Sequence, residues 1–288
     1  MRRSERILGI SGRVVSAVLA VIAASPVIPA AKEPDAAEIL RRAEEVRNAD
    51  FEFSADILVR TASPRGRPPE RVATFSMVAS GKDRTLMLRR TPKILYGGTF
   101  LIADDKYWML LPRSKSALEL AEPQVVFGEI SNADLARMNF LRGWAPRLLG
   151  EERFEEYLCY KLELSRTGEG GHYTRVLYWI RKKDFFPRRL ECYGGTPTRR
   201  LKMLRYEDYQ KGNLGVRPMK VIVEGGNPWE DISTVTFSNL RRIKADAVQF
   251  TLEGMITLRD AARAKQKATQ SEDTPLEDIL EAGAPKKP

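Results

Sequence analysis

The chain has 288 residues, 43% of them hydrophobic and 30% charged, with a formal net charge of +10. That composition belongs to a globular domain and excludes a disordered, collagen-like or largely membrane-embedded chain. A basic balance suits nucleic acid, an anionic membrane surface or plain solubility; with no Lys/Arg-rich helix, RNP-type pattern or zinc-finger spacing in the sequence, nucleic acid is the least supported of the three.

Residues 1–31 open on MRRSER and continue through a mostly apolar run from Ile7 to Ile22, followed by small residues at Ala23, Ala24, Ala30 and Ala31. This reads as a secretory signal cut near Ala30 or Ala31, and it places the remaining chain in the periplasm. Arg2, Arg3, Arg6 and Arg13 against Glu5 put +3 of the charge in this segment, leaving +7 beyond it. Arg13 divides the apolar run, which argues against an uncleaved anchor, and no cysteine near the cut is available for lipid attachment. Beyond it no apolar run approaches spanning length, so the mature chain is expected to be soluble.

Asp35 to Asn48 spaces Ile39, Leu40, Ala43 and Val46 three and four residues apart, which predicts one amphipathic helix. From residue 50 the period becomes two: Phe51, Phe53, Ala55, Ile57 and Val59 mark a strand with one apolar face. Strand-like runs follow at 71–80, 84–90, 94–103 and 106–111, separated by hairpin-sized GKD, TP and DDK. A second series runs 146–154, 157–165, 173–181, 187–193, 199–209, 216–224 and 232–240. Between them SNADLARMNF supplies a short helix carrying Leu135, Met138 and Phe140. From about Arg259 to Pro288 the chain is rich in Lys, Ala, Glu and Pro, and reads as a charged mobile tail or loosely held helix.

A dozen antiparallel strands with few helices predict a mainly β fold, a large sheet that either closes into a barrel or curls around a helix, leaving an interior lined by alternate side chains. The predicted inward set is Phe75, Met77, Leu86, Leu88, Phe100, Ile102, Trp108, Leu110, Leu162, Leu177, Trp179, Val221 and Val223. A large sheet with few covering helices has too little material to fill its concave face, and such faces bind apolar ligands. Cys159 and Cys192 fall on strands separated by one other strand, too far apart for an easy bridge, so two buried free thiols are favoured.

Catalytic patterns are missing. His172 stands alone in a turn and cannot make a multi-histidine metal site. The cysteines have no CxxC spacing, and no GxSxG, P-loop or GxGxxG occurs. Neighbouring acids such as Glu151 and Glu152 point to opposite faces of a strand and make poor acid/base partners. An enzyme is therefore disfavoured, and no cofactor or metal is called for.

The order of an amphipathic helix, FEFSADILV, KYWMLLP, ADLARMNF, LLGEERFEEYLCYKLELS, YTRVLYWIRKKDFFPRRLECY, LKMLRYEDYQ, VRPMKVIVE and TVTFSNLRRIKADAVQFTL resembles the outer-membrane lipoprotein-sorting family, the LolA-like proteins. The resemblance spans about residues 35–258 within a domain set at 32–258, and is closer to that family's broader relatives than to its smaller carrier, from which the longer chain and the 114–144 connection depart. It implies a half-open barrel with a hydrophobic cavity covered by helices, acting as a monomer that carries lipoprotein or lipid acyl chains between inner and outer membrane. It implies an inner-membrane exporter of RND or ABC type and an outer-membrane acceptor as partners. Leu135, Met138 and Phe140 would then form a lid that moves aside for acyl chains. The runner-up is an RseB-like periplasmic module that senses envelope stress by binding an anti-sigma factor; such modules need a second C-terminal domain, for which only some 30 residues remain.

Overall fold

The computed structural model describes residues 33–63, 70–81, 83–104, 106–121, 125–127, 130–131, 139–168, 171–244, 247–269 and 274–283. The expected signal segment, 1–31, lies outside them. Residues from Pro34 onward belong to one unit.

Helix α1 is Ala36–Arg47. Asp35 starts it: its Oδ1 accepts the backbone N–H of Glu38 at 2.9 Å, satisfying one of the donors that a helix leaves open at its first turn. Its buried residues are Ile39, Leu40, Ala43 and Glu44, the predicted stripe with one carboxylate added.

The strands are β1 Phe53–Ala62, β2 Arg71–Ser80, β3 Arg84–Thr91, β4 Thr99–Ala103, β5 Lys106–Leu110, β6 Leu118–Leu120, β7 Val125–Phe127, β8 Ile130–Ser131, β9 Trp144–Phe154, β10 Tyr157–Arg166, β11 Arg175–Arg181, β12 Pro187–Tyr193, β13 Arg200–Gly212, β14 Gly215–Gly225 and β15 Ile232–Arg242. Thirteen of them make one antiparallel sheet in the order β6-β5-β4-β3-β2-β1-β15-β14-β13-β12-β11-β10-β9, while β7 and β8 pair separately. The sheet is thus two meanders fused where β1 meets β15, with Ile57 opposite Phe237 and Val59 opposite Val235. It curls without closing, and β6 and β9 stand at its two ends. The predicted strand over 94–103 is shorter than expected. Lys93–Leu95 forms a 3-10 turn after Pro92, and Gly97 takes φ 84°, a backbone state that only glycine adopts cheaply.

α1 packs on one face of the sheet against β9, β10, β12 and β14, and this face is called the inner one. Its core joins Ile39, Leu40 and Ala43 to Ile57, Phe75, Met77, Met87, Phe100, Leu162, Tyr178, Ile180, Leu204 and Val223. The outer face of β2 to β5 has a second core, in which Val78, Leu86, Leu88, Leu101 and Leu110 meet Met255, Leu258, Ala262, Leu276 and Ile279. Those last five belong to two further helices, α2 Leu252–Thr269 and α3 Leu276–Gly283.

The mobile tail expected from residue 259 is corrected by this packing. Ala262 and Ile279 are fully buried, and arginines fasten the helix: Arg263 Nη1 donates to Pro112 O at 2.9 Å, and Arg259 Nη1 donates to Ser114 O. A few well-spaced apolar side chains fix a short helix when a sheet face needs covering, even where overall composition looks solvated. The structure thus assigns 252–283, as far as it is described, to the outer face of the domain.

Candidate functional site

The apolar inner face is the candidate site. Of the predicted inward set, Phe75, Met77, Phe100, Leu162, Val221 and Val223 lie on it, the last two flanking Ile222 on β14. Ile102 shares the face of Phe100 by the two-residue pleat, and its cross-strand partners are Thr85 and Tyr107. The others do not. Leu86, Leu88, Trp108 and Leu110 point outward, under α2 and α3. Leu177 and Trp179 also point outward, into a small cluster with Cys159, Phe154, Tyr157 and Tyr193. The cause is register: Leu162 lies opposite Tyr178 and Met77 opposite Met87, so Tyr178 and Met87 are the inward residues that sequence reading missed.

The inner face is not uniformly filled. Beside the fully buried core, Met109, Trp144, Val221, Val235, Phe237 and Leu240 are only partly buried. Four of these, Val221, Val235, Phe237 and Leu240, lie on the adjacent strands β14 and β15. They form an apolar strip that still touches solvent.

At the centre of the core sits a buried ion pair. Glu44, 0% exposed, accepts from Arg47 through Nε at 2.9 Å and Nη2 at 2.7 Å. Asn48 Nδ2 donates to the same carboxylate at 3.2 Å, and the Tyr178 hydroxyl donates to its Oε1 at 3.5 Å. Burial alone would lower the Arg47 pKa, but the Glu44 carboxylate outweighs it and holds the guanidinium charged. Burial pushes the Tyr178 and Tyr206 hydroxyls above the usual phenol range, so both remain protonated donors.

Of the predicted lid residues, Leu135 and Met138 lie outside the described residues. Phe140 is described, and is 1% exposed. Its backbone N–H donates to Glu44 Oε2 at 3.3 Å, and its ring stands edge-on to Trp144 at 5.4 Å and to Tyr178 at 6.0 Å. The Arg47 guanidinium lies 5.0 Å from the ring centre. One carboxylate therefore ties the segment at 139–141 to α1 and β11.

The remaining sequence candidates do not converge. His172 stacks at 4.7 Å on Tyr173, in the connection between β10 and β11. Both cysteines are free and buried. Cys192 is in the inner core and Cys159 in the outer cluster, and burial pushes the Cys159 thiol up to about 11, which keeps it a poor nucleophile. Glu151 pairs with Lys182 and Glu152 with Lys161, on opposite sides of β9. Among the described residues no three His, Cys, Asp or Glu side chains are placed to hold a metal ion, and no helix is long and apolar enough to cross a membrane.

Comparison with known proteins gives the following. The family model that matches, over residues 81–256, is described only as an uncharacterized protein. No curated protein sequence matches the chain. The fold is similar to that of a LolA superfamily protein from Nitrosomonas europaea, with 26% identity, TM-score 0.69 and coverage of 76% of this chain and 98% of that one. It is similar to a DUF1329 family protein from Desulfovibrio piger, with 19% identity, TM-score 0.68 and coverage of 76% and 97%. It is also similar to an outer-membrane lipoprotein-sorting protein domain from Vibrio parahaemolyticus, with 17% identity, TM-score 0.64 and coverage of 76% and 97%. The expected half-open LolA-like sheet is the fold observed.

Proposed function

Since the chain belongs to the uncharacterized-protein family matched over residues 81–256 and has a LolA-like fold, we propose that it is a periplasmic carrier of lipid or lipoprotein acyl chains. It moves them between inner and outer membrane, after removal of residues 1–31 as a signal peptide. The observation that carries this reading is the partly buried strip of Val221, Val235, Phe237 and Leu240 continuing from the inner core. Apolar side chains on a concave surface gain most when a hydrocarbon replaces the water over them.

Phe140 supplies the adjustable part. It sits on the inner face, held there by Glu44 and Arg47, and with Leu135 and Met138 it belongs to the proposed lid, the segment around 134–140. An entering acyl chain displaces this aromatic plug. Each methylene that moves from water onto the face contributes about 0.8 kcal/mol, so a long chain offsets the cost of moving Phe140. The exchange therefore favours the loaded state. An exporter of RND or ABC type and an outer-membrane acceptor would supply and receive the cargo.

The test has two parts. Lipids extracted from protein purified out of the periplasm are identified by mass spectrometry, and delipidated chain is melted with and without phospholipid or lipopeptide. Co-purified acyl chains and a melting temperature that rises with ligand concentration are expected, because a ligand that binds only the native state stabilises it by mass action. A clean extract together with an unmoved melting temperature overturns the proposal.

A further inference from the structure

The two ends of the sheet are dressed differently. Because adjacent strands run antiparallel, the β1–β2, β3–β4, β5–β6 and β14–β15 connections lie at one end. There Ile94 is 84% exposed, Trp229 65%, and Val72 and Ile232 37% each. β3, β2, β1 and β15 are neighbours, so Ile94, Val72 and Ile232 span three strand spacings, about 14 Å. Trp229 is at the tip of the next connection. Leu111 is exposed at the same end, whereas the far end presents Leu158 and, at the start of α2, Leu252.

Charge accompanies the apolar groups. Lys93, Arg113 and Lys115 are exposed at this end. Glu70 pairs with Arg60 at 2.8 Å and Asp231 with Arg71 at 2.5 Å, and Glu230 accepts from Asn227 Nδ2 at 2.7 Å, so the three exposed cations outnumber Glu119 and Glu230 on this rim. Exposed aliphatic side chains scattered singly are ordinary. A tryptophan and several aliphatics gathered at one end and ringed by Lys and Arg are the combination that suits the headgroup layer of a bilayer.

We propose that this end of the sheet is a docking surface for an anionic lipid bilayer. Trp229 and Ile94 enter the headgroup layer, and the lysines and arginines stand over lipid phosphates. The surface is separate from the inner face and does not depend on what that face carries.

The experiment mixes the processed chain, residues 32–288, with phosphatidylcholine vesicles made with or without phosphatidylglycerol. Binding is read by co-sedimentation, and contact by quenching of tryptophan fluorescence with brominated lipid. Residues 1–31 are absent from every arm, because a basic apolar segment would itself bind anionic vesicles. Binding is expected to need phosphatidylglycerol and to weaken about tenfold in the double variant Trp229→Ser, Ile94→Ser, with Leu158→Ser at the far end unchanged. Quenching should be lost in Trp229→Phe, a milder variant that retains an aromatic ring. Equal binding by wild type and the double variant, equal loss in Leu158→Ser, indifference to phosphatidylglycerol, or quenching that survives Trp229→Phe overturns the proposal. Acyl-chain stabilisation of the soluble chain is measured separately and is expected to be the same in the double variant, so failure of docking and failure of carriage are told apart.

Discussion

The β2–β5 region and the β9–β12 region are both antiparallel meanders, yet they are stabilised differently. β3 and β4 carry apolar side chains on both faces, with the inner core on one side and α2 and α3 on the other. In β9 to β12 the inner face is apolar and covered by α1, while the outer face is a ladder of charges and rings. There Lys161 pairs with Glu152 at 2.6 Å and Arg175 with Glu163 at 2.7 Å, and Arg189 stacks 4.9 Å from Trp179. One region rests on packing from both sides, the other on packing from one side and partly solvated polar contacts on the other.

The largest expected effect comes from the pair that anchors the second region to α1. Glu44→Ala leaves Arg47 buried without its carboxylate, and should cost about 3–5 kcal/mol in urea unfolding. A loss below about 1 kcal/mol would mean that water reaches Arg47 and that the inner core is looser than described. Next comes Leu88→Ala, beneath the outer helices. Leu88 is 0% exposed, and its truncation should cost about 2–5 kcal/mol; an effect near zero would show α2 and α3 to be dispensable to the first region.

A pH series sharpens the contrast further. Glu163 is held below the usual carboxylate range by its hydrogen bonds to Arg147 and then Arg175, and Glu152 by Lys161. On α1, Glu38 is drawn from 4.5 to about 2 by Arg41 and then Arg42. A carboxylate whose folded pKa is depressed contributes stability that is present above its unfolded value and is lost as the pH falls through its folded one. Protection against amide exchange, relative to the intrinsic rate at each pH, is therefore expected to fall in β9–β12 and α1 first between pH 4.5 and about 2, before β2–β5; the opposite order would reverse the comparison. The smallest effect belongs to Lys161→Ala, a pair at the solvated outer face, which should shift stability by less than about 1 kcal/mol. A larger value in a melt would show that the 4.7 Å contact of Lys161 with the Trp179 ring is stronger than such exposed contacts are elsewhere.

Strand positions were legible in the sequence because period two is a strong signal, and β2 and β12 fall where the alternation puts them. Facing was only partly legible. The loop between β2 and β3 is three residues, with Ser80 opposite Arg84, so odd-numbered Phe75 and Met77 keep company with odd-numbered Met87 and not with Leu86 and Leu88. The loop between β4 and β5 is two residues, with Ala103 opposite Lys106, so Phe100 meets Met109 and not Trp108. Counting loop residues would have assigned both correctly. For β11 no count was available, since its connection from β10 is long and the strand carries Val176, Leu177, Tyr178, Trp179 and Ile180 in succession. The buried Glu44 was hidden for another reason: a carboxylate on an amphipathic helix looks like a solvent residue until its arginine partner three positions on is seen to be buried with it.

The missing seam between β6 and β9 has a mechanical consequence. In a cylinder, any widening tears some rung of the backbone ladder, whereas a sheet with two loose margins can flatten or tighten by spreading small changes of twist over all its strands. The long margin, β9, is guarded against sticking to other chains by Pro146, which lacks an N–H, by the irregular pairing near Gly150 and by the outward Arg147. Such a sheet can adjust its girth to guests of different bulk with its hydrogen-bond ladder intact.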